Sequence, residues 1–501
     1  ILDYLNDIFL IGLDYSRPAI LDVFLEGATE RYRLFAPLKD LEMFRDENLH
    51  PLNIDTRRIA TRGLYRLRDD KTKELLGYMR TTTNGYAILS EERDEVALDL
   101  PNPAQLAPAI LNQKYEGALT GRNRATSPAD QQARHQLVEK DRPDRLAALK
   151  QWEDETADQF ALRKLFFNHQ VDEYARLYAE GEELFLGAKI AMQNKQGWAA
   201  LRVKPIAGSA FAAAVESVGR RPSDFAPIPR REDPVLSLRI NHPIDPMRQE
   251  NLLEMTALMR DIAGREYDSR RDLTAEQRES SKQAANLFFD MIDGGTRGGL
   301  LDGFIEAYRN AEGQVTLYGA VHAPEGTDDR ALEILELLPQ AKPARKVEMN
   351  FDQQGDVAIH KVALAPDEYV EIQEFFGREP VYVGTSPDRF WIAGGQGALE
   401  DLKTAIKQVA AAETGPPDPV FLDVVAQMAP WTELFHQLRG ETGNPDLRQL
   451  AVEAFKAGQD VTTLKLERVN GHIEGRWELQ PGILRFFAKV LADFSAENLD
   501  D

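Results

Sequence analysis

Apolar and charged residues alternate in several short runs of the chain, most clearly near its end. In "TTLKLERVNGHIEGRWEL" (462–479), charged residues separate Leu464 and Leu466, which predicts a strand with one packed and one solvated face. The run then reaches Asn470-Gly471, a dipeptide typical of a two-residue hairpin turn. These features predict an antiparallel sheet.

Four blocks of the first half resemble four blocks of the second half, in the same order. They contain strand-like runs, polar turns and helix starts, and the pairs are 20–44 with 300–324, 63–67 with 357–362, 74–96 with 379–402, and 184–215 with 462–490. We therefore predict a tandem duplication with copies at 1–219 and 220–501. Chance recurrence of a common hairpin-and-helix motif is the alternative. Residues 233–291 have no counterpart, so we expect that a strand and a helix of the first copy precede Ile1.

Long charged tracts predict helices beside these strands. Residues 127–180 are expected to form two helices separated at Pro143, as an inserted helical hairpin. The second helix is expected to carry an apolar packing stripe, formed by Leu146, Leu149, Trp152, Ala157, Phe160, Leu165 and Tyr174. The proline-rich stretches 219–234 and 411–420 are predicted linkers. The predicted fold class is α+β: two homologous halves, each a mainly antiparallel twisted sheet with helices on one face and an inserted helical hairpin.

Composition narrows the classes of partner. The chain has 82 acidic and 60 basic residues and a formal charge of −22, so it would repel phosphate backbones, and we expect no nucleic-acid partner. It has no cysteine, which removes disulfides and thiolate chemistry. We expect no transmembrane segment, because no apolar run approaches the roughly 20 residues that cross a bilayer.

Several stretches resemble a known group of proteins. They are "LFLGAKIAM" with "GWAALRVKPIAGSAFAAAV", "DGFIEAYRNAEGQVTLYGAVHAPEG", "VYVGTSPDRFWIAGG" with "ALEDLKTAI", and "PGILRFFAKVLADF". Through them the chain resembles a group of large, uncharacterised, predicted secreted proteins of planctomycete bacteria. The resemblance implies an exported protein, periplasmic or extracellular. Its signatures concern packing and turns, so it transfers no functional residue.

The glycine-rich turn in "FWIAGGQGALEDLK" (390–403) is the best candidate for a phosphate site, since such turns present backbone N–H groups at a helix start. It follows an apparent antiparallel hairpin, however, and lacks the full nucleotide-binding spacing. The matching turn of the first copy, "LSEERDEV", has Ser90, Glu91 and Glu92 where the glycines stand. Carboxylates there would repel phosphate but suit a helix N-terminus. We therefore interpret the turn as a helix start.

For the histidines, Ser209 and two basic pairs, a role in folding is a simpler explanation than a role in catalysis or binding. No two of the eight histidines lie within four residues of each other, and His360 is expected on the solvated or edge side of its strand; a zinc site built from distant histidines is the alternative. Ser209 lacks the GxSxG pattern and is expected in the first turn of a helix. The basic pairs at 220–221 and 230–231 are expected to be solvated or paired with acids.

Acidic residues give no specific site either. Pairs such as Asp94-Glu95 and Asp328-Asp329 are expected by chance among so many acids. The stretches 325–330 and 98–103 could offer oxygen ligands to calcium, but capping and turn formation explain them more simply. We therefore predict no catalytic, cofactor-binding or metal-binding residue.

The functional hypothesis is a non-enzymatic structural or binding protein of the bacterial envelope or exterior, which associates with itself or with other proteins. The alternative is a carrier of an apolar ligand such as a lipid, held in a cavity between sheet and helices. The aromatic pairs Phe375-Phe376 and Phe486-Phe487 are candidates to line that cavity, although core packing also explains them.

Overall fold

The structure is a computed structural model of the chain. It describes residues 12–14, 16–17, 19–26, 29–60, 63–96, 115, 117–123, 125–152, 155–191, 196–365, 370–412, 415–439 and 445–499. The chain forms two compact units. Unit 1 comprises residues 1–139, 175–212 and 471–501, and unit 2 comprises residues 140–174 and 213–470. Both units are discontinuous in sequence, and the predicted boundary of the duplicated copies at 219 and 220 stays a prediction.

The described strands of unit 1 form one sheet. They are β1 (Ala19–Glu26), β2 (Thr29–Pro37), β3 (Ile54–Ala60), β4 (Leu64–Asp69), β5 (Leu75–Thr81), β6 (Tyr86–Ser90), β7 (Gly117–Asn123), β8 (Gly181–Ala191), β9 (Gln196–Pro205) and β19 (His472–Leu479). Neighbouring strands follow the order β3-β4-β5-β6-β2-β1-β7-β8-β9-β19. These pairs are antiparallel except for β1 and β7, which are parallel.

The described strands of unit 2 also form one sheet. They are β10 (Leu236–Pro243), β11 (Leu300–Arg309), β12 (Val315–His322), β13 (Lys346–Gln354), β14 (Val357–Ala363), β15 (Val381–Ser386), β16 (Arg389–Gly394), β17 (Val420–Gln427) and β18 (Val461–Val469). Their order is β13-β14-β15-β16-β12-β11-β10-β17-β18, and each of these pairs is antiparallel. The mixed α+β class and the mainly antiparallel pairing are therefore confirmed, but the predicted placement of helices on one face is wrong for unit 2, whose sheet has helices on both faces.

Helices connect and cover these strands. The described α-helices are α1 (Leu41–Phe44), α2 (Pro128–Ala148), α3 (Ala157–Glu180), α4 (Ala210–Ser217), α5 (Pro246–Ser269), α6 (Ala275–Gly298), α7 (Thr327–Ala341), α8 (Val370–Phe376), α9 (Ala398–Ala411), α10 (Met428–Arg439), α11 (Pro445–Phe455) and α12 (Pro481–Leu499). None of the described helices is long and apolar enough to cross a membrane.

The predicted hairpin turn near the end of the chain has the expected backbone. Asn470 and Gly471 both have positive φ, 48° and 79°, the conformation that a tight turn of this kind requires. They separate β18 from β19. The stretch "ILDYLNDIFLIGLD" (1–14) has a helix-like pattern, but residues 1–11 lie outside the described residues.

The predicted helix break at Pro143 is wrong. Helix α2 continues through this proline to Ala148, and the chain leaves helical geometry only before α3. The preceding residue, Arg142, bonds to Asn168 Oδ1 at 2.8 Å and to Asp172 Oδ1 at 2.6 Å, so contacts with α3 hold this part of α2 in place despite the lost backbone hydrogen bond.

The predicted packing stripe is also wrong in part. Trp152 precedes α3 and is 62% exposed, and Tyr174 of α3 is exposed as well. The Arg163 guanidinium lies 4.1 Å from the centre of the Trp152 ring. A cation–π contact at the surface therefore accommodates this indole, where the helical pattern predicted core packing.

The predicted linker at 219–234 contributes to the core of unit 2. Phe225 and Ile228 are buried in a cluster with Phe304, Trp391 and Leu402. The Phe225 ring lies 5.7 Å from the Trp391 ring in an edge-to-face arrangement. These two apolar side chains attach the segment to the sheet face, while residues between and after them, such as Ala226 and Pro229, stay exposed.

Candidate functional site

An apolar cavity of about 790 Å³ lies within unit 2, between one face of its sheet and the helices α5, α6 and α7. Its volume lies within the range of small-molecule sites in proteins. The lining residues are Ile244, Leu252, Phe288, Met291, Ile292, Gly295, Thr296, Leu300, Leu301, Phe304, Ile305, Gly319, Ala320, Val321, His322, Ala323, Pro324, Thr327, Ala331, Ile334, Leu335, Leu338, Arg345, Val362, Leu364, Val381, Val383, Phe390 and Ile392.

Strand register builds the floor of this cavity. Side chains that stand opposite each other on neighbouring antiparallel strands project from the same face. One such row crosses four strands, with Ile305 opposite Gly319, Gly319 opposite Ile392, and Ile392 opposite Val383. Gly319 adds no side chain between the two isoleucines, because its backbone lies close to Phe304 and Ile305 of β11, and this row forms part of the cavity floor.

Helix α6 provides much of the roof. Phe288, Met291, Ile292 and Gly295 follow the spacing i, i+3, i+4 and i+7, which places them on one side of the helix. At Gly295 no atom outside the helix backbone and the neighbouring residues lies within 4 Å of the place that a Cβ would occupy. This glycine therefore widens the space between roof and floor.

The cavity is closed under α7 and open elsewhere. Leu335 of α7 packs on Val362 and Val383, and all three side chains are buried. In contrast, Phe288 is 53% exposed, and Leu252, Leu301 and Ile392 are each about 40% exposed. A ligand could therefore reach the apolar lining from solvent without displacing a packed core.

Few polar side chains contribute to the lining. They are Thr296, His322, Thr327 and Arg345, and no aspartate or glutamate is among the lining residues. His322 Nδ1 lies 3.0 Å from Asp224 Oδ2, and this hydrogen bond lowers the pKa of Asp224. The cavity therefore offers an apolar surface with a few polar groups, which is the usual composition of a ligand site.

A buried polar cluster adjoins His322. Asp302 is 1% exposed and accepts hydrogen bonds from Ser223 Oγ at 2.6 Å and from the Asp224 backbone N–H at 2.8 Å. Burial raises the pKa of this carboxyl group. Its two hydrogen bonds connect β11 to the segment that carries Phe225, so the cluster anchors that segment.

His360 corrects a prediction. It was expected on the solvated or edge side of its strand, but it is completely buried on β14. Nδ1 accepts a hydrogen bond of 3.1 Å from the backbone N–H of Asn350, and Nε2 lies 3.1 Å from Thr385 Oγ1. Asn350 has a positive φ of 50° in an irregular part of β13, and the imidazole fills the space that this irregularity opens.

The glycine-rich turn at 394–397 is a helix start, as its position predicts. It follows the antiparallel pair β15 and β16, and α9 begins at Ala398 after Gly397. Gly395 has a φ of 97°, and a Cβ there would lie 2.8 Å from the carbonyl oxygen of Val315. The glycine thus serves a close backbone approach, which explains it without an anion. The matching turn after Ser90 leads to a short 3₁₀-helix at Asp94–Val96.

Other predicted structural roles are confirmed. Ser209 precedes α4, and its Oγ accepts a hydrogen bond of 3.0 Å from the Ala212 N–H. Arg230 pairs with Asp423 at 2.5 Å, and Arg231 pairs with Asp401 at 2.6 Å.

The acidic candidates remain apart from any assembled site. Asp328 and Asp329 lie in the first turn of α7, as capping predicts. The stretch 98–103 lies outside the described residues. Within the part of the chain that the structure describes, no three His, Asp or Glu side chains are grouped so that they could hold a metal ion.

The two aromatic pairs proposed for an apolar cavity do not line this one. The Phe375 ring packs 5.6 Å from the Trp431 ring, and the Phe487 ring lies 6.3 Å from the Trp477 ring. Sequence reasoning missed the residues that line the cavity, although the helical spacing of Phe288, Met291, Ile292 and Gly295 was a visible signal.

Comparisons of the chain with protein-family models, with curated proteins and with solved structures gave no match.

Proposed function

We propose that unit 2 binds an apolar ligand in the cavity between its sheet and the helices α5, α6 and α7. The observation that carries this proposal is the combination of an apolar lining of about 790 Å³ with large apolar side chains left partly open to solvent. Exposed apolar surface is costly in water, and its burial by a ligand would contribute roughly 25 cal/mol for each Å².

Fluorescence of N-phenylnaphthylamine, an uncharged apolar probe, tests this proposal. We expect saturable binding to the full chain, as the probe enters the space beside Gly295. Gly295→Phe should weaken binding at least about ten-fold, because the added ring would occupy that space.

Gly264→Phe is the matched control for this experiment. Gly264 is also a helical glycine with no atom within 4 Å of an added Cβ, but it lies on α5 outside the cavity lining. Its variant should bind the probe like the parent chain, and circular dichroism should show that both variants are folded. Absence of saturable binding to the parent chain, or equal binding by Gly295→Phe, would refute the proposal.

We also infer that the two halves of the chain, residues 1–219 and 220–501, derive from a duplication. Six consecutive neighbours in unit 1, β3-β4-β5-β6-β2-β1, have the same sequence order as β13-β14-β15-β16-β12-β11 in unit 2. In unit 2, β10 lies antiparallel between β11 and β17, which makes those two strands parallel to each other. The parallel pair β1 and β7 has the same relative direction, without a strand between them.

This topological agreement supports the duplication more specifically than the sequence blocks do. Superposition of these six strands from each half, in an experimental structure, would test it. The six strands of each half should superpose in the same chain order and with the same strand directions. Strands that superpose only in a different chain order would contradict the duplication.

The other sequence-based hypotheses stay predictions. They are a structural protein of the bacterial envelope that associates with itself or other proteins, the absence of an enzymatic role, and the extracytoplasmic location that the planctomycete resemblance implies. Apolar ligand binding is compatible with each of them, and the probe experiment does not depend on them.

A further inference from the structure

The charge of the cavity lining differs from that of the whole protein. The chain has a formal charge of −22, yet the lining residues include no carboxylate, and their one permanently charged side chain is Arg345. His322 is the other titratable lining residue, and it is paired with Asp224. The lining is therefore apolar with a cationic group, within a strongly acidic protein.

Arg345 lies at one end of the cavity floor. It directly precedes β13, where Lys346 pairs with Ala363, and the neighbouring pair of strands brings Val362 opposite Val381. The exposed Leu301 and the lining residue His322 lie at the other end of the strands, where His322 is opposite Arg389. Along β15, Val381 and Ser386 are five residues apart, and Ser386 is opposite Arg389 of β16. The floor between these two levels is therefore about 17 Å long, at roughly 3.3 Å per residue.

We infer that the ligand is an acyl chain with an anionic head group, which Arg345 recognises. This inference rests on the proposed function. The elongated apolar floor suits an extended hydrocarbon chain, and a guanidinium group can donate two parallel hydrogen bonds to a carboxylate or a phosphate. Arg345 already interacts with other groups of the chain, and the head group would join or replace those interactions.

Displacement of bound N-phenylnaphthylamine by three amphiphiles tests the inference. Hexadecanol has an uncharged head, hexadecanoate has a carboxylate, and a lysophosphatidate with the same acyl chain has a phosphate. We expect at least one of the two anionic compounds to displace the probe at a concentration roughly ten-fold lower than hexadecanol does. Preference for hexadecanoate would identify a free fatty acid as the ligand type, and preference for lysophosphatidate would identify a phospholipid.

Arg345→Gln should remove this preference while hexadecanol still displaces the probe. Arg309→Gln is the matched control, because it removes one positive charge from an exposed position of β11 outside the lining. Equal displacement by hexadecanol and both anions, or a preference that survives in Arg345→Gln, would overturn the head-group assignment alone. Failure of the parent chain to bind the probe would overturn the proposed function and this inference together.

Discussion

The two faces of the unit 2 sheet use the same strands but are covered in opposite ways. On the face under α9, Phe225 and Trp391 are each 1% exposed. On the face under α5, α6 and α7, the next residue after Trp391 is Ile392, which is 40% exposed and lines the cavity. Adjacent residues of one strand thus experience a close-packed core and an open apolar surface.

The covering segments explain this difference. Helix α9 presents Ala398 and Ala405 among its buried residues, and such small side chains allow a helix to approach a sheet closely. The segment with Phe225 fills the remaining space on that face. On the other face, Gly295 of α6 and Gly319 of β12 both line the cavity, and neither contributes a side chain to it. At Gly295 no atom outside the helix backbone and the neighbouring residues lies within 4 Å of the place that a Cβ would occupy, so this part of the roof stays open.

The largest expected effect comes from two matched phenylalanines. Phe225→Ala should lower the free energy of unfolding by about 3–5 kcal/mol, because it removes a buried ring from the α9 face. Phe288→Ala on the other face should cost less than about 1 kcal/mol, because that ring is already half exposed. Urea unfolding of both variants measures the difference. Equal losses would show that the two faces are packed alike.

The pH dependence of the free energy of unfolding tests how well the closed end of the cavity face is packed. His360 lies on the same side of β14 as Val362, and burial lowers its pKa. Since Nδ1 accepts from the Asn350 N–H, Nε2 carries the proton of the neutral ring and donates it to Thr385 Oγ1. The folded protein therefore resists protonation at a pH where the unfolded chain accepts a proton.

The pKa of His360 is lower in the folded protein than its ordinary value of about 6.5 in the unfolded chain. The contribution of His360 to stability is therefore complete above that ordinary value and is lost as the pH falls below it. The loss should reach up to about 1.4 kcal/mol for each pH unit below that value. His360→Gln should remove this component, because an amide can still accept one hydrogen bond and donate another. Urea unfolding between about pH 5 and 8 measures both proteins. Parallel pH profiles would contradict a buried neutral histidine.

The smallest expected effects distinguish roof from floor. Gly295→Ala should raise the free energy of unfolding by about 0.5–1 kcal/mol, because alanine suits a helix interior and the added methyl group meets no atom. Gly319→Ala should lower it, because the Cβ would lie only 2.6 Å from the carbonyl oxygen of Phe304. Thermal unfolding of the two variants measures both shifts. Changes of the same sign would mean that the two glycines have similar surroundings.

Sequence patterns predicted the elements that depend on nearby residues. The turn at Asn470-Gly471, the helix start after Gly397 and the Ser209 cap are local, because backbone conformation and short-range hydrogen bonds determine them. The antiparallel pairing was predicted from the alternation of apolar and polar residues, which is typical of sheets with one packed and one solvated face. Wrong predictions came where distant groups compete, as with Pro143, whose helix is held by contacts from α3.

Burial of particular side chains was the less predictable part. His360 has the polarity of a surface residue, but the irregular part of β13 supplies one hydrogen-bond partner, Asn350, and β15 supplies the other, Thr385. Phe225 lies in a stretch with the composition of a linker, yet it packs on Trp391. Each outcome depends on a group that is far away in sequence, and no local pattern contains that information.

The sequence by itself determined the α+β class, the antiparallel strands and the main turns, since these follow from residue periodicity and local backbone preference. Only the tertiary structure decided which face of unit 2 is close-packed and which contains a cavity. That choice depends on how side-chain volumes from separate segments sum over each part of the sheet. Gly295 and Gly319 are 24 positions apart in the chain, and only folding brings them into the lining of the same cavity.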